Sequence, residues 1–278
     1  MTLTVFFATL GAAFFHALWN ALLRVKGSKV SAMMRLSVFE VPIGIAVVTY
    51  LPMPNLDAWP WVLAAGCVHF IYKSFLALAY EQGDLSRVYP IARGAAPMAV
   101  ALFSAAFLAD QIAPQGYAGI AVLGLGILLM ARGVFTDGES RRLLPFALGS
   151  AAATAAYTLI DGMGARIAGD AVAYIGWTYI IDGILFAGGM TLWRGTASLR
   201  APLRDWGLAL AASLASFIAY ATSIWAMTQA PIAVVAALRE TSILFAVLIG
   251  WLWFGERMTR NKAIAALLIV IGVIITRI

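Results

Sequence analysis

The sequence predicts an all-α integral membrane protein, ten transmembrane helices arranged as two inverted five-helix repeats. Three observations carry that expectation. Of 278 residues, 63% are hydrophobic and only 12% charged, against about 25% charged in a soluble domain, and the mean hydropathy is +0.91. Ten apolar stretches, each close to the length a bilayer core demands of a helix, use up most of the chain. The most polar connection, Arg132 to Arg142, contains Gly133, Asp137-Gly138 and Arg141-Arg142, and separates five stretches from five.

In order, the spans are predicted at 2–23, 30–51, 59–80, 86–109, 114–131, 145–165, 171–192, 206–228, 231–254 and 261–277. No basic residue precedes the first, and its apolar run continues to Leu23, so it reads as a span and not as a cleavable signal. Pro52-Met53-Pro54-Asn55 closes the second, because proline cannot continue a helix without cost. Trp59 and Trp61 open the third at the depth of an interfacial aromatic belt. Spans five and ten carry small residues (Gly116, Gly119, Gly124 and Gly126; Ala263, Ala265, Ala266 and Gly272), which suit close helix packing more than chemistry. Five is odd, so a second five-span unit enters the membrane from the opposite face. The repeats are expected at 1–139 and 140–278. An offset of 146 residues relates Arg93 to Arg239, Asp110 to Glu256 and Gly126 to Gly272. Inverted repeats of this kind place a transporter's site near the midplane, between the halves.

The net charge of +6 does not point to nucleic acid, because the basic residues are spread over short inter-span loops. Of nineteen, thirteen follow odd-numbered spans, and only Arg166 and Arg277 lie in the other loops and termini. The remaining four, Arg35, Lys73, Arg93 and Arg239, are inside or at the edges of spans. This bias puts the odd loops in the cytoplasm and both termini outside. The single cysteine, Cys67, allows no internal disulfide. There is no phosphate-binding Gly-x-x-x-x-Gly-Lys-Ser/Thr loop, no Cys-x-x-Cys or His-Glu-x-x-His spacing, and no Gly-x-Ser-x-Gly elbow. No cofactor, no metal and no enzymatic activity are expected, and monomer and homodimer stay open.

Seven charges fall well within the predicted spans: Glu40, Asp161, Asp182, Glu240, Lys73, Arg93 and Arg239. Unpaired in lipid they would cost on the order of 20 kcal/mol together, so they must pair or face a wet cavity. Arg93 shares a helical face with Tyr89 and Pro97; Pro90 and Pro97 remove backbone donors and free carbonyls for the interior. Glu240 points about 100° away from Arg239 around a helix, so Lys73 is its expected partner. His16, Trp19 and Asn20 form one i, i+3, i+4 stripe, and His69, Tyr72 and Lys73 form another. Tyr157 and Asp161 lie four apart, and Tyr220 is the eighth span's counterpart to the third-span stripe. Glu40 and Asp182, mid-span carboxylates in a low dielectric, are candidates for proton coupling, as is Glu240, and the alternative is a static pairing with a neighbouring base.

Ten spans in two halves, the stretches Tyr89-Pro90-Ile91-Ala92-Arg93-Gly94 and Ala237-Leu238-Arg239-Glu240-Thr241, Asp110 and Glu256 closing spans four and nine, and Phe15-His16-Ala17-Leu18-Trp19-Asn20-Ala21-Leu22 resemble the EamA-type branch of the drug/metabolite transporter superfamily. The resemblance covers essentially the whole chain. It implies a secondary active transporter in the bacterial inner membrane, most members being exporters of amino acids, other metabolites or toxic compounds. It also implies a central cavity among spans 1, 3, 4, 6, 8 and 9, with 5 and 10 outside. The arginine stretches further resemble a subgroup associated with phosphonate utilisation, a hint of anionic substrates.

The residues themselves give the same reading. Arg93, Arg239 and Lys73 would hold a carboxylate or phosphonate, Tyr72, Tyr89, Tyr157, Trp19 and Tyr220 would line the path, and Asp161 or Glu240 would meet an ammonium. The expected partners are a small-molecule substrate, the lipid bilayer and a proton as coupling ion, with no nucleic acid. An importer of a phosphonate-type or other organic anion is the nearest alternative. From another class, an intramembrane lipid-modifying enzyme would need Ser74 or Ser216 against His69 or His16, and a non-transporting scaffold would leave the buried charges without a purpose.

Overall fold

Helices account for nearly all of the computed structural model, which describes residues 1–23, 28–82, 96–108, 110–131, 142–255 and 258–277, with no strand among them. They are α1 (Leu3–Leu22), α2 (Lys29–Val48), α3 (Trp59–Gln82), α4 (Ala96–Phe107), α5 (Pro114–Ala131), α6 (Leu143–Ala168), α7 (Ala171–Arg194), α8 (Leu203–Gln229), α9 (Ile232–Arg239), α10 (Ser242–Phe254) and α11 (Arg260–Arg277). Among the described residues seven spans are long and apolar enough to cross a membrane, the seventh being α9 and α10 taken together.

Local chemistry sets the ends. Thr2 Oγ1 accepts from the Val5 amide at 3.3 Å at the start of α1, and Ser28 Oγ accepts from Ser31 at the start of α2. Between α6 and α7 the chain reverses at Gly169, whose φ of +83° is costly for any residue with a Cβ. Asp170 then takes the amides of Val172 and Ala173 at 2.8 and 2.9 Å, satisfying donors the new helix would otherwise leave open.

The ninth span is predicted as one helix, but it breaks between α9 and α10 at Glu240-Thr241. The chain passes through a tight turn in which the Thr241 amide bonds the Leu238 carbonyl and the Ile243 amide bonds the Glu240 carbonyl, at 3.1 and 3.0 Å. Thr241 Oγ1 also donates to Leu238 O at 2.7 Å. The backbone thus stays satisfied while the axis is interrupted, as buried membrane segments require.

Packing pairs α5 with α11, α2 with α7, α3 with α6 and α1 with α8; α3 also meets α7, α8 meets α2, α10 meets α1, and α4 meets α6 and α9. The α5–α11 contact is close because both sides are glycine. A Cβ at Gly119 would sit 2.6 Å from the Thr276 amide nitrogen, and one at Gly272 would sit 2.6 Å from that of Leu123. The outer surface is apolar: Leu102, Phe107, Leu192 and Trp253 are all largely exposed. A continuous belt of that kind is stable against hydrocarbon and not against water.

Candidate functional site

The polar residues converge on one cavity of about 50 Å³, room for a few waters. His16 and Trp19 reach it from α1, Glu40 from α2, and His69, Tyr72 and Lys73 from α3. Tyr157 comes from α6, Tyr179 and Asp182 from α7, Ser216 and Tyr220 from α8, and Arg239 from the last residue of α9. The third-span stripe therefore faces one space, as its spacing requires.

One wall is an ion triad. Lys73 Nζ donates to Glu40 Oε1 at 2.6 Å and to Ser37 Oγ at 3.0 Å, and it lies 2.7 Å from Asp182 Oδ2. All three charged residues are buried. The expected partner of Lys73, Glu240, is replaced by two carboxylates from neighbouring helices, because α2 and α7 pack together and bring the mid-span acids of both halves to one ammonium. Among the described residues Asp182 Oδ1 is buried without a hydrogen-bond donor.

A second wall is aromatic. His69 stacks on Tyr157 with ring centroids 4.3 Å apart, and Tyr72 meets Tyr157 edge-on at 5.2 Å. Behind it lies Asp161, fully buried: its Oδ2 is 3.0 Å from His69 Nε2, and Tyr174 donates its hydroxyl to Oδ1 at 3.3 Å. Tyr179 donates to Ser216 at 2.9 Å, tying α7 to α8. On α1, Trp19 Nε1 donates to His16 Nδ1 at 3.3 Å, and Asn20 Nδ2 donates to the His16 carbonyl at 2.8 Å.

Arg239 supplies the cavity's other cation. It is 6% exposed, and among the described residues no hydrogen-bond acceptor or carboxylate reaches its guanidinium. The C-terminus of α9 offsets part of the cost of its charge.

Of the predicted site residues, His16, Trp19, Tyr72, Lys73, Tyr157, Tyr220 and Arg239 line the cavity, as do the carboxylates Glu40 and Asp182. Asn20, Asp161 and Glu240 are buried but not on its wall. Tyr89 and Arg93, with the Pro90 beside them, lie outside the described residues, as does Glu256. The lining expected from spans 1, 3, 4, 6, 8 and 9 gains spans 2 and 7, through Glu40, Tyr179 and Asp182, while α4 supplies no described lining residue.

Sequence reasoning passed over Tyr179, although it stands three residues before Asp182 and so on the same helical face. It also passed over Arg35, buried in α2 with its Nε unpartnered among the described residues. Arg166, counted with the loops, is in the last turn of α6 and forms a two-pronged pair with Asp110 at 2.7 and 3.2 Å. The serines considered as nucleophiles bond elsewhere: Ser74 donates to the Phe70 carbonyl at 2.7 Å, and Ser216 accepts from Tyr179.

Apolar spans enclosing a charged, aromatic-walled cavity define a multi-pass membrane protein. A family model described as the EamA-like transporter family matches residues 142–278. Residues 142–278, just under half of the chain, thus resemble the EamA-like transporter family, membrane transporters of the drug/metabolite superfamily. Among solved structures, one crystal structure matches over 98% of this chain and 96% of its own, with a TM-score of 0.71 at 16% identity, a likeness of fold alone. No curated protein matches.

Proposed function

We propose that the chain is a secondary active transporter that moves a small polar metabolite, amino-acid-like or anionic, through this cavity by alternating access. The observation that carries this is Arg239, a guanidinium without a partner among the described residues, held on the wall of an interior cavity, where burial is costly unless an anion arrives. A carboxylate or phosphonate would dock on Arg239 through its paired N–H donors. An ammonium on the same molecule would turn toward Glu40 and Asp182, whose Oδ1 lacks a donor among the described residues. Tyr72, Tyr157, Tyr220, Trp19 and His16 would close round its body, with Arg93 and Tyr89 brought from span four. The family resemblance supports export across a bacterial inner membrane. An organic anion without an ammonium, taken inward, is the second reading, favoured by the same guanidinium on the cavity wall.

The two-repeat arrangement, 1–139 and 140–278, belongs to this proposal. What supports it is the pairing of helices. Adding five to each span number carries the contact of spans 3 and 6 onto that of 8 and 1, 3 and 7 onto 8 and 2, and 4 and 6 onto 9 and 1.

A thermal-shift screen of purified protein against amino acids, phosphonates and cationic toxicants tests the reading. A ligand at a hundred times its Kd stabilises by about 2.7 kcal/mol. Arg239→Ala should keep the unliganded melting temperature, lose the shift given by anionic ligands, and abolish their transport in liposomes. Normal transport of such a ligand by purified Arg239→Ala would remove the assignment.

A further inference from the structure

Behind the aromatic wall, His69 and Asp161 have a geometry that goes beyond holding a substrate. Asp161 is fully buried, and a carboxylate so placed needs donors or a counter-charge. Its Oδ2 is 3.0 Å from His69 Nε2, and the Tyr220 hydroxyl is 3.1 Å from that same nitrogen. A carboxylate only accepts, so Nε2 carries the ring's hydrogen. The neutral ring then has its lone pair on Nδ1, and His69 is a cavity residue.

We propose that His69 and Asp161 form a proton-binding dyad on the cavity wall, with Nδ1 of His69 taking one proton from cavity water while Nε2–H stays on Asp161. No bond to another heavy atom forms or breaks: neutral imidazole plus a proton becomes imidazolium, facing its carboxylate.

The surroundings favour this site over the carboxylates of the triad, whose ammonium is already shared between them. Around the ring, α6 presents Tyr157 and Asp161, α8 presents Tyr220, and α3 presents Tyr72; the Tyr174 hydroxyl of α7 reaches Asp161 and the Trp61 carbonyl. The same cavity is lined by His16, Arg239 and the Glu40–Asp182 pair on Lys73, with Glu240 off the wall. Among the described residues on the wall and directly behind it, three carboxylates (Glu40, Asp161, Asp182) accompany two cations (Lys73, Arg239). The dyad is then where external pH enters the cavity's charge.

The chain has two histidines, so nitrogen-15 NMR of histidine-labelled protein in lipid nanodiscs resolves the matter without a transported ligand. Its failure would therefore leave the Arg239 reading standing. His69→Gln identifies the His69 signals. They should show the Nε2–H tautomer at pH 9 and convert to imidazolium on acidification to pH 5, with Asp161→Asn reducing the protonated fraction at pH 6 at least tenfold. An Nδ1–H tautomer, or signals unchanged from pH 9 to 5, overturns the proposal. Either is read from the unaltered chain, so it stays decidable even where Asp161→Asn fails to fold.

Discussion

Lys73 sets the energetics at the scale of single residues. It neutralises two carboxylates that have no water to turn to, and removing one partner of a buried pair costs about 3–5 kcal/mol because the other charge is stranded. Lys73→Met should therefore lower the melting temperature of the detergent-purified protein sharply. Adding Glu40→Gln and Asp182→Asn should recover most of the loss. An equal drop in the triple variant would show that Lys73 contributes packing and not charge. The i, i+3, i+4 spacing of His69, Tyr72 and Lys73 fixes a shared face whatever the fold, so the stripe could be read. The identity of the partners of Lys73 could not, since that depends on which helices lie beside α3.

At the scale of elements, α9 is held at its first turn. Its first amide, Ile232 N, donates to Asp110 Oδ2 at 2.9 Å. Arg166, paired with that carboxylate, also donates to the carbonyls of Met227 and Ala230 at 2.9 and 3.1 Å, the last turn of α8 and its cap. The other end of α9 carries Arg239 into the cavity. The ends of α4, α6 and α8 are thereby tied to the start of the short helix that positions the candidate anion anchor. Asn55 joins α6 to the preceding connection on the same end of the bundle, donating from its side chain to Ile167 O at 2.9 Å. The Arg166 side chain is about a third exposed, with relative accessibility 32%, so solvent screening reduces what the network contributes. Arg166→Met should cost about 1–2 kcal/mol. Its mark should be faster amide hydrogen exchange at Ile232 and its neighbours in α9, and unchanged exchange there would deny the tie. Arg166 reads as a loop residue in sequence because a charge at a span's end looks like a topology signal, and only the fold brings Asp110 to meet it.

For the whole molecule, the charge bias makes a topological prediction. With Cys67→Ala as background, Met53→Cys should react with a membrane-impermeant maleimide on intact cells. Ala197→Cys, in the connection after α7, should react only after permeabilisation. Reversed labelling would invert the orientation and leave the fold unchanged. Ten hydrophobic stretches and the burial of charge among them follow from composition and spacing, because hydrocarbon imposes its length and polarity requirements on each segment separately. The sequence by itself therefore determined that this is a multi-pass membrane protein, and the helical face on which each polar stripe lies. Tertiary structure alone decided that Lys73 goes to Glu40 and Asp182, that Asp161 backs His69, and that the ninth span breaks beside Arg239. Those pairings join residues far apart in the chain, and no local periodicity encodes which helices become neighbours.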